Sequence, residues 1–136
     1  KSTFKDAEKH MVFPEIISKE PLGPLVRQGD DQWADIGRWV LNALIVGEEM
    51  GITKANVATM SSGTKNPEIN RLLGTEGSIA KWLGLDPKWA MRAISVNGNY
   101  AEIFEKYIGK NTPLGLARGQ NALYNKGGIL YAPPVR

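Results

Sequence analysis

The clearest pattern of apolar positions lies over residues 31–50, where apolar side chains recur at intervals of three and four. This spacing places them in one broad stripe along a helix. Asp30 precedes the pattern as a candidate N-cap, and Gly51 follows it as a stop. A stripe of this width predicts a partner surface of comparable size. Its members are Trp33, Ile36, Val40, Ala43, Leu44, Val46 and Met50.

Beyond residue 51 the sequence predicts a series of short helices, each with a local start or stop signal. Asn66-Pro67 and Asp86-Pro87 both place a capping residue before a proline, which is favoured at the first position of a helix. Glycines close or separate the apolar faces that follow. The remaining predicted helices cover residues 79–83, 100–108 and 114–124, and an extended tail follows them.

Strand-like sequence is confined to the beginning of the chain. Residues 11–17 read MVFPEII, in which Pro14 favours an edge position or a bend. Prolines and a glycine exclude helix over residues 20–27, so we expect an extended connection with a short strand at 25–27. The sequence offers these strands no obvious pairing partner elsewhere in the chain. The pattern therefore predicts that part of the fold is missing or is supplied by another chain.

Composition narrows the possibilities further. The chain has 136 residues, of which 42% are hydrophobic and 23% charged, values typical of a folded domain with its own core. It contains no cysteine, which excludes disulfides, thiol catalysis and cysteine-ligated metals. The net charge of +3 is spread along the sequence, and this does not indicate a nucleic-acid surface.

Titratable residues provide no obvious catalytic or metal-binding constellation. His10 is the one histidine, and its polar neighbours predict a surface turn. Glu48 and Glu49 are adjacent on the predicted helix, so they point in different directions and are expected to be solvated. Asp30 and Asp31 are interpreted as helix-start residues. We assign no catalytic residue, no metal ligand and no cofactor.

The four tryptophans could form a stacking platform or could belong to the core. Trp33 lies on the apolar stripe of the long helix and Trp39 at its margin. Trp82 and Trp89 lie on other apolar faces. The pattern favours core packing for the set.

Several stretches together resemble a known family over about residues 11–136. These stretches are MVFPEIISKEPLGPLVRQGDDQW, WVLNALIVGEEMGIT, NPEINRLLGTEG, WLGLDPKWA, VNGNYAEIFEKYIG and LARGQNALYNKGGILYAPPVR. They are similar to the C-terminal portion of the general L-amino-acid-binding periplasmic proteins of ABC transporters, solute-binding protein family 3.

The resemblance implies an α/β fold, namely part of a two-lobe, type II periplasmic-binding-protein fold. This portion is expected to be mostly helical, with one or two strands near its N-terminus. Residues 1–19 would end the second lobe, 20–29 would form an interlobe hinge crossing, and 30–136 would pack on the first lobe. The expected hinge residues are Glu20, Pro21, Leu22, Gly23 and Pro24.

The resemblance also implies a periplasmic receptor that captures an L-amino acid between its lobes and delivers it to a membrane permease. The family's ligand-gripping arginine and aspartate match no position here, so no ligand contact is placed and the chain alone is expected not to bind. We expect no enzymatic activity and no nucleic-acid partner. Two alternatives stay open, a periplasmic dehydratase-type enzyme on the same scaffold and a stand-alone helical interaction domain. The unpaired strand further predicts a strand-swapped homo-oligomer.

Overall fold

The computed structural model describes residues 3–11, 13–15, 17–18 and 22–136. Within these residues the chain is mostly helical, and its one β-type contact is a parallel bridge between Leu123 and Leu130. Short 3₁₀ turns cover Ala7–Lys9, Gly119–Asn121 and Tyr124–Lys126. The six α-helices are α1 (Asp31–Glu49), α2 (Val57–Gly63), α3 (Pro67–Leu73), α4 (Ile79–Leu83), α5 (Trp89–Asn97) and α6 (Tyr100–Tyr107).

The long helix α1 begins and ends where the sequence predicts. The Asp30 side chain accepts a hydrogen bond from the backbone N–H of Trp33 at 3.1 Å, which satisfies one of the free donors of the first turn. After the helix, Gly51 has a φ of 66°, a left-handed conformation that glycine adopts without strain.

Of the short helices, α3 and α6 start at a side-chain cap, whereas α2, α4 and α5 have none. Asn66 Oδ1 accepts from the backbone N–H of Glu68 at 2.9 Å, which confirms the predicted start of α3. The predicted start of α5 at Asp86-Pro87 is wrong, because the helix begins at Trp89, and Asp86 Oδ1 accepts from the N–H of Lys88 in the turn before it. At α6, Asn99 and Glu102 form a reciprocal capping box, which the sequence reading had not identified.

The fully buried residues of the hydrophobic core all lie from position 43 onward, and Ile36, Trp39 and Val40 are partly buried against it. The second half of α1 packs against α5 and α6, while α3 and α4 close the other sides. None of the described residues before Ala43 is buried in it. The buried members are Ala43, Leu44, Ile45, Val46, Ile52, Val57, Ile69, Leu72, Leu73, Ala80, Leu83, Trp89, Ala90, Ile94, Leu123, Ala132 and Val135.

The predicted strands do not form in the part of the chain that the structure describes. Within 11–17, Val12 and Ile16 lie outside the described residues, and the others are exposed and without regular structure. Residues 25–27 are likewise irregular. A strand needs a neighbour to satisfy its backbone groups, and the described residues offer these segments none.

The helix predicted over 114–124 is wrong. Gly115 and Gly119 adopt φ values of 60° and 48°, which interrupt a right-handed helix. The segment forms tertiary hydrogen bonds instead, for example from Leu116 N–H to the Ile108 carbonyl at 3.0 Å. The tail over residues 129–136 contains no helix, and Tyr124 N–H donates to the Leu130 carbonyl at 2.9 Å.

Candidate functional site

Only part of the predicted hinge lies within the residues that the structure describes. Glu20 and Pro21 lie outside the described residues, whereas Leu22, Gly23 and Pro24 are exposed and have no regular secondary structure. Gly23 does not adopt a positive φ, and a Cβ atom built there would meet no atom within 4 Å. The backbone at this position therefore does not require glycine in this conformation. The hinge assignment stays a prediction.

An apolar surface lies uncovered next to this segment. Leu25 is 96% exposed and Trp33 is 56% exposed, and Leu41 remains 44% exposed in the middle of α1. We call this surface the N-terminal apolar face and define it by Leu25, Val26, Trp33, Gly37 and Leu41. Three of these residues, Val26, Gly37 and Leu41, line one shallow groove.

The geometry of α1 makes this face continuous with the core. Trp33, Gly37 and Leu41 are spaced by four residues, so they form one row along the helix surface. Leu44 continues the row after three residues and is buried. One apolar row therefore passes from solvent into the core along a single helix.

The segment after α6, residues 108–136, is here called the C-terminal segment. An ion pair that is largely shielded from solvent joins it to the end of α1. Arg118 Nη2 lies 2.9 Å from Glu48 Oε2, and the two side chains are 19% and 7% exposed. The guanidinium also lies 5.4 Å from the ring centre of Tyr100 and 5.2 Å from that of Phe104. The prediction that Glu48 is solvated is wrong, because its side chain is buried against Arg118. Local spacing could not show this contact, since the two residues lie 70 positions apart in the sequence.

Glu49 contacts the same segment from its own side of the helix. Its Oε1 accepts a hydrogen bond from the Tyr124 hydroxyl at 3.1 Å. That hydrogen bond, followed by the negative charge of Glu49, raises the pKa of Tyr124 above its usual value. The two glutamates point in different directions as predicted, and each holds a different residue of the C-terminal segment.

The tryptophans divide between the core and the surface. Trp89 is buried and Trp39 packs partly against the core, as predicted. Trp33 and Trp82 are 56% and 80% exposed, so the core prediction is wrong for these two. Sequence periodicity identified an apolar face at Trp33 but could not show whether this chain covers it.

The remaining candidate residues form no chemical site. His10 is exposed, with its ring centre 5.1 Å from that of Phe4. Over the described ranges, no group of three or more acidic, histidine or cysteine side chains is arranged to hold a metal ion. No helix in the same ranges is both long and apolar enough to cross a membrane.

Comparison with known proteins places the whole chain within longer relatives. It is 54% identical over 136 residues to the glutamate/glutamine/aspartate/asparagine-binding protein BztA of Rhodobacter capsulatus, covering all of this chain and 40% of the relative. It is 58% identical to the general L-amino acid-binding periplasmic protein AapJ of Rhizobium johnstonii, covering 98% of this chain and 40% of that protein. No protein-family model matches the chain.

A solved structure also contains this fold as part of a longer chain. The chain superposes on an ABC transporter periplasmic binding protein from Brucella ovis, determined with glutathione bound, with a TM-score of 0.87 and 54% identity. The match covers 95% of this chain and 40% of that one.

By fold, this chain corresponds to part of a periplasmic binding protein. In sequence it is similar to amino-acid-binding periplasmic proteins of ABC transporters, as the resemblance predicted. The chain spans about two fifths of the length of these relatives.

Proposed function

We propose that this chain is the C-terminal portion of a periplasmic receptor that serves an amino-acid ABC importer. The supporting observation is the identity of 54–58% along essentially its whole length to proteins named for binding amino acids. The complete receptor would bind an L-amino acid between two lobes and deliver it to the membrane permease. Its action would be a ligand-driven closure without covalent chemistry.

The ligand class follows from the names of the similar proteins. One is named for glutamate, glutamine, aspartate and asparagine, and the solved structure holds glutathione. The glutamyl end of glutathione carries a free α-amino and a free α-carboxylate group, as a free amino acid does. We therefore propose that the complete protein recognises this α-amino-acid head and tolerates differences in the rest of the ligand.

Within the complete receptor, we assign residues 1–19 to the end of the second lobe and residues 20–29 to the return crossing between lobes. Residues 30–136 would pack on the first lobe. The N-terminal apolar face supports this assignment, because it begins beside the proposed crossing at Leu25 and continues along the first half of α1. The hinge itself would comprise Glu20, Pro21, Leu22, Gly23 and Pro24.

Titration calorimetry tests the proposal directly. The complete protein that contains this segment would be titrated with glutamate, glutamine, aspartate, asparagine and glutathione. We expect dissociation constants in the micromolar range or tighter for the complete protein, and no measurable binding by the 136-residue chain alone. A folded complete protein that binds none of these compounds would contradict the proposed function. Tight binding by the chain alone would show that the ligand site is misplaced.

A further inference from the structure

A small pocket lies where the end of α1, the start of α3 and the C-terminal segment meet. Its volume is about 180 Å³, which at roughly 30 Å³ per water molecule is space for about six waters or one small organic group. Two glutamates, two tyrosines and several apolar side chains line it. Each of the three groups restricts the class of ligand that this pocket suits.

The glutamates give the pocket a negative charge that no nearby cation neutralises. Glu49 on α1 and Glu68 on α3 both line it, and no lysine or arginine is among its lining residues. Within the described part of the chain, neither carboxylate has an ion-pair partner within 4 Å. Arg71, one turn after Glu68, donates from Nε to the Val135 carbonyl at 3.1 Å. In a chain of net charge +3, this is a local site for a positive charge.

The tyrosines add two aromatic walls beside these carboxylates. The rings of Tyr124 and Tyr131 have centres 5.5 Å apart and planes at 72°, so they form adjoining walls of a corner. The Tyr124 hydroxyl donates to Glu49 Oε1 at 3.1 Å, which holds that carboxylate next to the ring and leaves its second oxygen available. The face of an aromatic ring is negative and attracts a cation within about 6 Å.

The apolar lining separates organic cations from metal ions. Val46 and Val135 are both buried and form inner walls of the pocket. Alkyl groups gain from contact with such walls, whereas a metal ion would exchange its water ligands for groups that cannot coordinate it. Across the described ranges, no group of three or more acidic, histidine or cysteine side chains is arranged to hold a metal ion. The lining therefore favours a cation that carries carbon.

We propose that this pocket binds the head group of a small organic cation of the alkylammonium class. Glu49 and Glu68 would balance its charge, and Tyr124 and Tyr131 would contact it through their ring faces. The inference rests on residues of this chain and not on the proposed function. An alkylammonium group also ends every lysine side chain, so the source is either a free small molecule or a polypeptide.

Nuclear magnetic resonance of the ¹⁵N-labelled chain tests the binding chemistry. The probe is tetramethylammonium chloride, with the ionic strength held constant by sodium chloride. Amides of Glu49, Tyr124 and Tyr131 should shift with a common dissociation constant of about 1–10 mM. The neutral tert-butanol has a similar shape and should bind at least about fivefold more weakly. Equal binding of the alcohol, or shifts that do not saturate, would overturn the inference.

A charge variant shows whether the pocket carboxylates provide the attraction. Glu49→Gln removes the charge but keeps an acceptor for the Tyr124 hydroxyl, and it should weaken tetramethylammonium binding by about 2- to 5-fold. Glu105→Gln is the matched control, because it removes an exposed carboxylate on α6 that does not line the pocket. An equal effect of the two substitutions would mean that only the net charge matters, and would overturn the inference.

A ring variant tests the aromatic wall. Tyr131→Leu keeps apolar bulk but removes the ring, so it should weaken binding by about 2- to 5-fold, whereas Tyr131→Phe should bind like the wild type. Tyr107→Leu is the matched control, since Tyr107 is similarly exposed and lies outside the pocket. Equal losses from the leucine and phenylalanine variants at position 131 would exclude the ring as the contact.

A second probe identifies the source of the cation. Nα-acetyl-lysine-N-methylamide presents the same charge at the end of a peptide side chain. Tighter binding of tetramethylammonium would indicate a free small molecule, and tighter binding of the capped lysine would indicate a polypeptide partner. Both results support the cation pocket, and absence of binding by both overturns it. Amino-acid binding by the complete receptor is measured separately, so failure of one proposal leaves the other intact.

Discussion

The two halves of α1 belong to one continuous helix but have opposite surroundings. From Ala43 to Glu48 every residue is buried, including the charged side chain of Glu48. From Asp31 to Leu41 no residue is fully buried, although Ile36, Trp39 and Val40 pack partly against the core. Trp33 and Leu41 are 56% and 44% exposed. The apolar row nevertheless continues unbroken between the halves. This difference supports the proposal that the first half of α1 packs on a part of the receptor outside this chain.

The two halves of α1 also differ in how far their ion pairs are exposed to solvent. In the first half, Asp35 and Arg38 pair at 2.9 Å, with side chains 52% and 68% exposed. In the second half, Glu48 and Arg118 pair at the same distance but are mostly removed from water. Burial rather than geometry separates the two pairs, and their energetic roles should differ accordingly.

The largest expected effect concerns the core. Ile94 is fully buried against α1, so Ile94→Ala should lower the free energy of unfolding of the chain by about 2–5 kcal/mol. Leu25→Ala at the N-terminal apolar face should change it by less than about 0.5 kcal/mol, because Leu25 is 96% exposed. Urea unfolding followed by circular dichroism measures both. Similar costs at the two positions would mean that the face is already covered in the isolated chain.

The ion pairs should show the next largest contrast. Arg118→Ala leaves the carboxylate of Glu48 buried without its partner, and we expect a loss of about 2–4 kcal/mol. Arg38→Ala removes the exposed pair and should cost less than about 1 kcal/mol. A double-mutant cycle with Glu48→Gln separates the pair from the loss of Arg118 packing on Tyr100 and Phe104. A coupling near zero would assign the effect to the ring contacts and to the hydrogen bonds from Arg118 to the Asn121 carbonyl.

A smaller effect is expected at the proposed hinge. Gly23→Val should leave the stability of the isolated chain nearly unchanged, since the position is open and does not use a positive φ. In the complete protein the substitution should change the dissociation constant for the amino acid, because affinity scales with the population of closed receptor. Calorimetry and urea unfolding on the same variant separate the two effects. An unchanged dissociation constant would remove the hinge assignment.

The smallest effect concerns the pH dependence of the C-terminal contact. The hydrogen bond to Glu49 raises the pKa of Tyr124, so the protonated phenol is favoured in the folded state. Its stabilising contribution is complete below the ordinary tyrosine pKa of about 10 and is lost as the pH rises through the higher folded-state value. Tyrosinate absorbance, taken as the difference between wild type and Tyr124→Phe, reports this titration. Glu49→Gln should lower its midpoint, and an unshifted midpoint would contradict the assignment.

Local signals predicted the starts of α1 and α3 and the end of α4, whereas α2 was not predicted and α5 begins later than expected. Asp30 and Asn66 cap helices through hydrogen bonds within three residues, and Gly84 ends α4 in a left-handed conformation. Such features depend on neighbours in the sequence, so a single sequence contains the information. The same holds for the boundaries of α1.

Long-range features were predicted poorly, for a physical reason in each case. Glu48 is buried because Arg118 reaches it from a distant loop. The segment after Leu114 turns at left-handed glycines and bonds to Ile108 and to the tail instead of continuing as a helix. Trp33 is apolar by pattern but exposed in structure, because the pattern does not say which chain covers it.

Hydrogen exchange is the most direct test of the claim that the first half of α1 is covered by the rest of the receptor. Exchange would be followed by mass spectrometry in the isolated chain and in the complete protein. Amides in residues 33–42 should exchange much more slowly in the complete protein, whereas those of α5 should be protected to a similar extent in both. Equal exchange over residues 33–42 in the two contexts would contradict the claim.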